Sequence, residues 1–570
     1  MKDRNDHDDA YDLKSVKMPY LSGFPLRLIA GLVEGPLRGL LAPNLLSSAG
    51  LAWLRKQEFD ERPTLLPIAS AGSLAVEEGS IPQDKWPAPP VEPGPGFRFP
   101  AVFDYARAYH DGKVTPEEVA QRVLESIGSS EAARPPLRAF IAVDREDVLR
   151  QARESTERIK NGRPLSVFDG VPVAVKDELD MTPYPTTLGT SFLGKNEAVA
   201  DATAVARLRR AGALLVGKAN MHEIGLGVTG LNAHHGTPRN PYDASRYTGG
   251  SSSGPAAAVA AGLCPVALGA DGGGSIRIPS SFCGLVGLKP TFGRVSEFGA
   301  AALGWSVAHV GPLAATATDA ALAYCAVAGP DPKDRLSLHQ PSPKLAAEGE
   351  MDWKNMTLGI YRPWFRHASA EVVSACESMV EKMVQAGAGL RDIVIPDLEA
   401  NRVAHLVTIA GEMTRSQSIH DSEHRRDYGL DVRINLALAR MFTARDYIKA
   451  QQIRTRMMSH FQRALEQADV ILTPSTGIVA PVIPKTALPG GDSDLTTLTE
   501  IMRFSTGPNM TGLPAISFPV GYSRDGLPIG MQAIGRAWQE HVLLWLAAAA
   551  ERFVERRVPA AFYRILPQSE

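Results

Sequence analysis

The order of elements along this chain predicts an α/β fold. A large twisted mixed β-sheet is sandwiched between helices (an α/β/α arrangement), and a helical extension precedes it. Three observations lead there. From about residue 97 onward, helical patterns alternate with apolar strand-like runs. Runs such as "GVPVAV" are continuously apolar, as strands buried on both faces are. A stretch with seven prolines between residues 77 and 100 sets this region apart from the apolar segment before it.

Residues 1–17 open "MKDRNDHDDAYDLK", which is charged and has no apolar core, so they predict a mobile polar tail rather than a signal peptide. Between residues 18 and 56 the pattern changes. Leu26, Ile29, Ala30 and Val33 follow helical spacing, and Leu37, Leu40 and Leu41 follow Pro36. Pro25 and Pro36 each suit a helix start and Gly35 a stop, which predicts two short helices, apolar over much of their surface. Such a pair packs on the main domain, or serves as an interfacial membrane cap or a dimer contact. The expected organisation is a tail and helical extension over 1–76, an extended Pro-rich linker over 77–96 and a large domain over 97–570.

Within that domain "VTPEEVAQRVLESIG" predicts a helix capped by Thr115 ahead of Pro116. "GVPVAVK" is a buried strand. "DATAVARLRRAGALLVGKAN" reads as helix, glycine stop and strand, and "AAAVAAGLCPVALGAD" repeats that order around Gly262. "MTLGIYR", "SAEVVSACESMVEKMVQAGAGL" and "RDIVIP" give strand, helix and strand, while "QADVILTPS", "PAISFPVG" and "LPIGMQAIG" add strands near the end. "VLLWLAAAA" (Val542–Ala550) is half a membrane span and predicts a core helix. No internal repeat of a solenoid or propeller is present.

Composition narrows the function classes. The 570 residues carry 60 basic and 62 acidic side chains, a formal net charge of −2, so there is no basic excess to hold nucleic acid. The four cysteines, Cys264, Cys283, Cys325 and Cys376, do not make a disulfide framework in a chain of this length, and none has the CxxC spacing of a zinc cluster. They predict reduced thiols in an intracellular compartment.

Three short motifs invite misreading. "GLGVTG" (Gly225–Gly230) matches a dinucleotide-binding pattern but lacks the strand before it and the helix after it. "GALLVGK" (Gly212–Lys218) resembles a phosphate loop, yet Ala219 stands where a magnesium-binding hydroxyl is needed, and its centre is an apolar strand. "GSSSG" (Gly250–Gly254) matches a nucleophile elbow centred on Ser252, but the preceding "NPYDASRYT" is no apolar strand. Histidines at 222, 234 and 235 sit among polar loops and read as structural.

A joint pattern carries more. Lys176 ends the strand "GVPVAV". Ser251 and Ser275 follow, separated by a small-residue helix, a strand and the turn "DGGG". Three glycines before Ser275 leave bare backbone N–H groups that can face an anion, as an oxyanion hole requires.

These residues, in "GVPVAVKDELD", "GKANMHEIG", "YTGGSSSGPAAAVAAG", "ALGADGGGSIRIPSSFCGLVGLKPTFGRV" and "GLPAISFPVGYSRDGLPIGMQAIG", resemble the amidase signature family of serine hydrolases in both order and spacing. The resemblance covers roughly residues 97–565. Within the family, "GKANMHEIGLGVTGLNAHHGTPRNPYDASRYTGGSSSG", "YIKAQQIRTRMMSHF" and "KMPYLSGFPLRLIAGLVEGP" are most similar to plant-type fatty acid amide hydrolases. Gly254 and Pro255 depart from the commoner ending of the serine loop without touching the three key positions. The resemblance implies an α/β sandwich around about eleven strands. It also implies Ser275 as nucleophile, Ser251 as bridging serine after a cis peptide, and Lys176 as base. Candidate oxyanion donors are the N–H groups of Gly272, Gly273, Gly274 and Ser275. Ser252, Asp271 and Arg277 match positions that support the loops; alone, Asp271 would read as a solvated turn residue and Arg277 as a surface cation. A lysine serves as base only when neutral, and its ordinary pKa is about 10.4, so the site must disfavour its charge.

The expected reaction is hydrolysis of carboxylic amides through an acyl-enzyme, with long-chain N-acyl amides such as N-acylethanolamines as substrates. The alternatives are a broad aryl or short-chain amidase with esterase or carbamate activity, an amidotransferase subunit, and a non-catalytic binding protein on the same scaffold. No cofactor or metal is expected. The expected partners are a lipophilic amide, a second copy of the chain as a homodimer, and a membrane surface touched peripherally through residues 18–56, in the cytoplasm.

Overall fold

Alternation along the strands decides which side chains face which layer. The computed structural model describes residues 11–36, 38–70, 81–88, 94–346 and 349–567. Its strands are β1 (Leu21–Ser22), β2 (Phe140–Ala142), β3 (Pro172–Lys176), β4 (Leu214–Ala219), β5 (Arg239–Asn240), β6 (Asp243–Tyr247), β7 (Val266–Ala270) and β8 (Val286–Lys289), followed by β9 (Val310–Ala314), β10 (Thr357–Ile360), β11 (Gly389–Asp392), β12 (Val470–Pro474), β13 (Asp492–Ser493), β14 (Ala515–Tyr522) and β15 (Pro528–Gly535). Eleven of them form one sheet in the order β11-β10-β12-β15-β14-β8-β9-β7-β3-β4-β2. β3 runs parallel to β4 and β7, and β10 runs parallel to β11 and β12. The stretch from β12 through β15, β14, β8 and β9 to β7 is antiparallel, so the sheet is mixed, as predicted.

Both faces are covered. Val173 and Val175 of β3, Val266 and Leu268 of β7, and Val470 and Leu472 of β12 point into one core. The intervening Ala174 and Ala267 point the other way, against the wholly buried helix Ser253–Ala260, and Ile471 joins a neighbouring core on that second face. That helix reads "SGPAAAVA", and its small side chains let it lie close to the sheet. Gly254 is required there, since a Cβ would sit 2.3 Å from the backbone of Ala139 and Asn220. By the same alternation Lys176 shares its face with Ala174, towards this helix rather than the valine-rich core.

The N-terminal extension differs from expectation. Its described residues hold three helices, Gly23–Glu34, Arg38–Ser48 and Leu51–Lys56, where two were predicted. Gly50 supplies the reason: its φ of +101° ends the second helix and starts the third. Pro43 is tolerated inside the second helix, and Pro36 lies just before it. Leu37 and the side chains of Leu40 and Leu41 lie outside the described residues. Leu26 and Ala30 pack on Ile434, Leu51 and Leu54 enter the second-face core, and β1 pairs with β13.

Residues 11–17, predicted as part of a mobile tail, are docked. Leu13 is buried, Tyr11 meets His367 through a 2.5 Å hydrogen bond, and Asp12 Oδ1 accepts from the Glu399 N–H at 3.2 Å. Residues 1–10 lie outside the described residues, as do 71–80 and 89–93 of the Pro-rich region. Of that region, 81–88 hold one 3₁₀ turn, with Ile81 buried in the main core and Trp86 edge-on to Phe168. The helix Glu540–Glu551 buries Leu543, Leu544 and Leu546, so the apolar run near the C-terminus is a core helix.

Candidate active site

Lys176 is fully buried at the C-terminal end of β3. Its Nζ donates to Ser251 Oγ at 2.8 Å and to the Ala270 carbonyl at 3.2 Å, and it pairs with Glu178 Oε2 at 2.6 Å. The Gly250–Ser251 peptide is cis. The Ser251 carbonyl accepts the N–H groups of His222 (3.0 Å) and Ser253 (2.9 Å), so the start of the small-residue helix holds this serine in place. Gly225, whose φ of +72° favours glycine, lies beside Ser251 Oγ.

Ser275 ends the turn after β7. The turn is folded around the Asp271 carboxylate, which accepts from the N–H groups of Gly274 (2.6 Å) and Ile276 (3.1 Å). Arg277 clamps the same carboxylate through Nε and Nη2, both at 3.0 Å, and Asn509 Nδ2 adds a bond at 3.0 Å. Burial pushes the Asp271 carboxyl up, but the Arg277 guanidinium and its hydrogen bonds outweigh that and hold it well below the usual carboxylate range. Asp271 and Arg277 are therefore an interior ion pair, neither a solvated turn residue nor a surface cation. The Ser252 N–H donates to the Ser275 carbonyl at 3.2 Å, which ties the two serine loops together. Ser252 Oγ is buried and donates to the Ala270 carbonyl at 3.2 Å, so the elbow reading of "GSSSG" has no exposed hydroxyl to support it.

Gly274 needs correction among the candidate oxyanion donors. Its N–H is already given to Asp271, which leaves Gly272, Gly273 and Ser275. Gly274 serves conformation instead: its φ is +115°, and a Cβ would lie 2.5 Å from Ile278 Cδ1 and 2.7 Å from Ser505.

Several contributors were not visible in the sequence. His405 donates from Nε2 to the Gly272 carbonyl at 2.8 Å, and Ser505 Oγ donates to the Gly273 carbonyl at 2.7 Å, so the glycine turn is braced from outside. Burial brings His405 down to about 4, which keeps its ring neutral beside the turn. Glu178, two residues after Lys176 in "KDELD", is the nearest carboxylate to the lysine. No local pattern marks these side chains. The histidines among the polar loops pair elsewhere: His222 with Asp431 (3.1 Å), His234 with Glu223 (2.7 Å) and His235 with the Thr190 carbonyl (3.0 Å). "GALLVGK" forms the buried strand β4, and "GLGVTG" lines a cavity wall.

That cavity, of about 380 Å³, reaches Ser275 and Gly273. Its walls are largely apolar, from Leu406, Ile409, Leu438 and Phe442 of the main domain and from Leu21, Ile29, Leu45 and Leu46 of the N-terminal extension. The extension is thus part of the cavity wall. Among the described residues no cluster of His, Cys, Asp or Glu has the arrangement of a metal site.

Comparison with known proteins places these features. The amidase family model matches residues 121–544. A fatty acid amide hydrolase of Medicago truncatula is 40% identical, with 98% of this chain and 96% of that protein covered. One component of the glutamyl-tRNA(Gln) amidotransferase of Thermosynechococcus vestitus is 34% identical over 76% of this chain and 94% of its own length. Among solved structures, a bacterial aryl acylamidase of the amidase signature family superposes with a TM-score of 0.71 at 25% identity, covering 81% of this chain and 98% of that one.

Proposed function

The chain belongs to the amidase family and is an amidase, and from that premise we propose that Ser275, Ser251 and Lys176 are its catalytic triad and that its substrates are amides of long-chain acids. The observation that carries the triad is the 2.8 Å bond from Lys176 Nζ to Ser251 Oγ at the end of a buried strand, with Ser275 on a loop where its carbonyl accepts from the neighbouring Ser252 N–H.

The chemistry follows from the residues. A serine hydroxyl is a weak nucleophile and needs a base. Lys176, as the neutral amine, takes the Ser251 hydroxyl proton while Ser251 takes that of Ser275. Ser275 Oγ then bonds to the amide carbon, and the carbonyl oxygen becomes an oxyanion facing the N–H groups of Gly272, Gly273 and Ser275; one such donor is worth about 3–4 kcal/mol. The C–N bond breaks as the proton returns through Ser251 to the leaving nitrogen. Water, deprotonated by the same relay, cleaves the acyl ester and frees Ser275.

The long-chain preference rests on the apolar cavity that starts at Ser275 and on the extension that completes it. Similarity to the plant fatty acid amide hydrolase runs through this extension, whereas the amidotransferase component covers only 76% of the chain. Kinetics with one amine and a graded acyl series test the preference: kcat/KM should rise with chain length, and a maximum at short or aryl acids would favour the aryl amidase reading.

The outer face of the first extension helix supports peripheral membrane contact. Phe24 and Leu28 are 77% and 52% exposed, while Leu26, Ala30 and Val33 are buried beneath them. Among the described residues no helix is long and apolar enough to cross a membrane. A homodimer that hid this face would abolish liposome sedimentation while doubling the mass seen by light scattering.

A further inference from the structure

We propose that Glu178 is the positioning residue for Lys176 and sets the acid limit of the pH range in which the enzyme turns over. The inference rests on Lys176 being the base. Lys176 Nζ has three acceptors: Glu178 Oε2 at 2.6 Å, Ser251 Oγ at 2.8 Å and the Ala270 carbonyl at 3.2 Å. Three acceptors match the three N–H bonds of an ammonium group. The base form has two N–H bonds and a lone pair, and the lone pair must face Ser251. Both partners are interior, with side chains 1% and 7% exposed, so water screens the pair little. Loss of the lysine proton leaves the Glu178 carboxylate unpaired in the interior, an unfavourable state. Glu178 therefore opposes formation of the base, contrary to the expectation that the site disfavours the lysine's charge, and fixes where the amine points once it forms.

Other charged groups near this pair are already engaged. Asp177, just after β3, pairs with Lys218 of β4 at 3.4 Å. Asp271, after β7, is held by Arg277. The helix Ser253–Ala260 brings no titratable side chain. Glu297 is pushed well above the carboxylate range by burial and by the charges of Asp334, Glu178 and Glu412. Glu412, on the helix Leu398–Gln417, accepts from Ser306 and Tyr447. Glu178 is the carboxylate that contacts Lys176.

The test is the pH profile of kcat/KM for wild type, Glu178→Gln and Glu178→Asp on a single amide. Removing the charge lets Lys176 lose its proton at lower pH, so the acid limb of Glu178→Gln should lie at least one pH unit below wild type, with Glu178→Asp in between. A plateau that falls while the limb stays fixed would mean that Glu178 only fills space, and a limb displaced upward would reverse the proposal; either overturns it. Where Glu178→Gln is too unstable to assay, Glu178→Asp decides alone, by a limb below that of wild type or not. Lys176→Ala separates the two claims. A normal plateau in Lys176→Ala refutes the base itself, whereas an inactive Lys176→Ala beside an unmoved Glu178→Gln limb refutes only the role of Glu178.

Discussion

Ser275→Ala removes the proposed attacking hydroxyl and Lys176→Ala the proposed terminal proton acceptor, so each is expected to lower kcat by at least about 10³-fold. Ser252 only donates from a buried hydroxyl to the Ala270 carbonyl, and Ser252→Ala should cost about tenfold or less. Steady-state rates on one amide check all three. Arg277→Met leaves Asp271 as an unpaired interior charge and should lower unfolding free energy by about 3–5 kcal/mol in urea titrations. The pH dependence has a definite sign. Asp271 is depressed in the folded state, so its contribution is present above the unfolded carboxylate pKa and is lost only as pH falls through the much lower folded value. Without Arg277 burial would push this carboxyl up, so the loss in Arg277→Met should be no larger at pH 6 than at pH 8. Lys176, Ser251 and Ser275 each sit at a local landmark (a strand end, a serine cluster, a glycine turn), but the roles proposed for them came from the family resemblance. His405 and Ser505 brace that turn from 133 and 232 positions away from the residues they touch, and no local pattern reports such a contact. Gly274 was misassigned because three adjacent glycines look alike in sequence, while only the folded turn shows which N–H the carboxylate has taken.

At the scale of elements, the N-terminal helices both close the cavity and present an apolar outer face. Deleting them would uncover the core that Leu51 and Leu54 pack against and open the cavity wall, so substitution on the outer face is the cleaner test. Phe24→Ser with Leu28→Ser should reduce liposome sedimentation several-fold and leave thermal stability nearly unchanged, since both side chains are exposed. The β1–β13 pair anchors this extension, and Asp492 lies within it. Burial, with Asp431 and Asp494 nearby, raises Asp492 to about 6. A carboxyl raised in the folded state destabilises when charged, so the anchor should loosen as pH rises through 6 and tighten as it falls. Hydrogen exchange over residues 21–34, corrected for intrinsic rate, should be slower at pH 5 than at pH 7.5, and Asp492→Asn should remove the difference. The apolar character of the extension was readable from leucine spacing. Its division into three helices was not, because it turns on the left-handed backbone of Gly50, and the docking of Tyr11 depends on His367 far along the chain.

For the whole molecule, strand and helix alternation was enough to predict the sandwich, because continuous valine runs can be buried only in a sheet covered on both faces. The strand order was not predictable in the same way. β12, β14 and β15 insert between strands from earlier in the chain, and that pairing is long-range. Nor was the cavity visible, since its walls come from segments scattered between Leu13 and Thr506. Its shape makes a prediction of its own: Ile29→Trp should narrow the cavity and lower kcat/KM for long-chain amides about tenfold or more while sparing short ones. The central claim is that Ser275 carries a long acyl chain during turnover. Rapid acid quench of the enzyme with a mixed pool of short- and long-chain amides, followed by peptide mass spectrometry, tests it directly. An acyl adduct on Ser275, enriched in long chains over their share of the pool, is the expected result; an adduct on Ser251, Ser252 or another residue, or one enriched in short chains, would refute the claim.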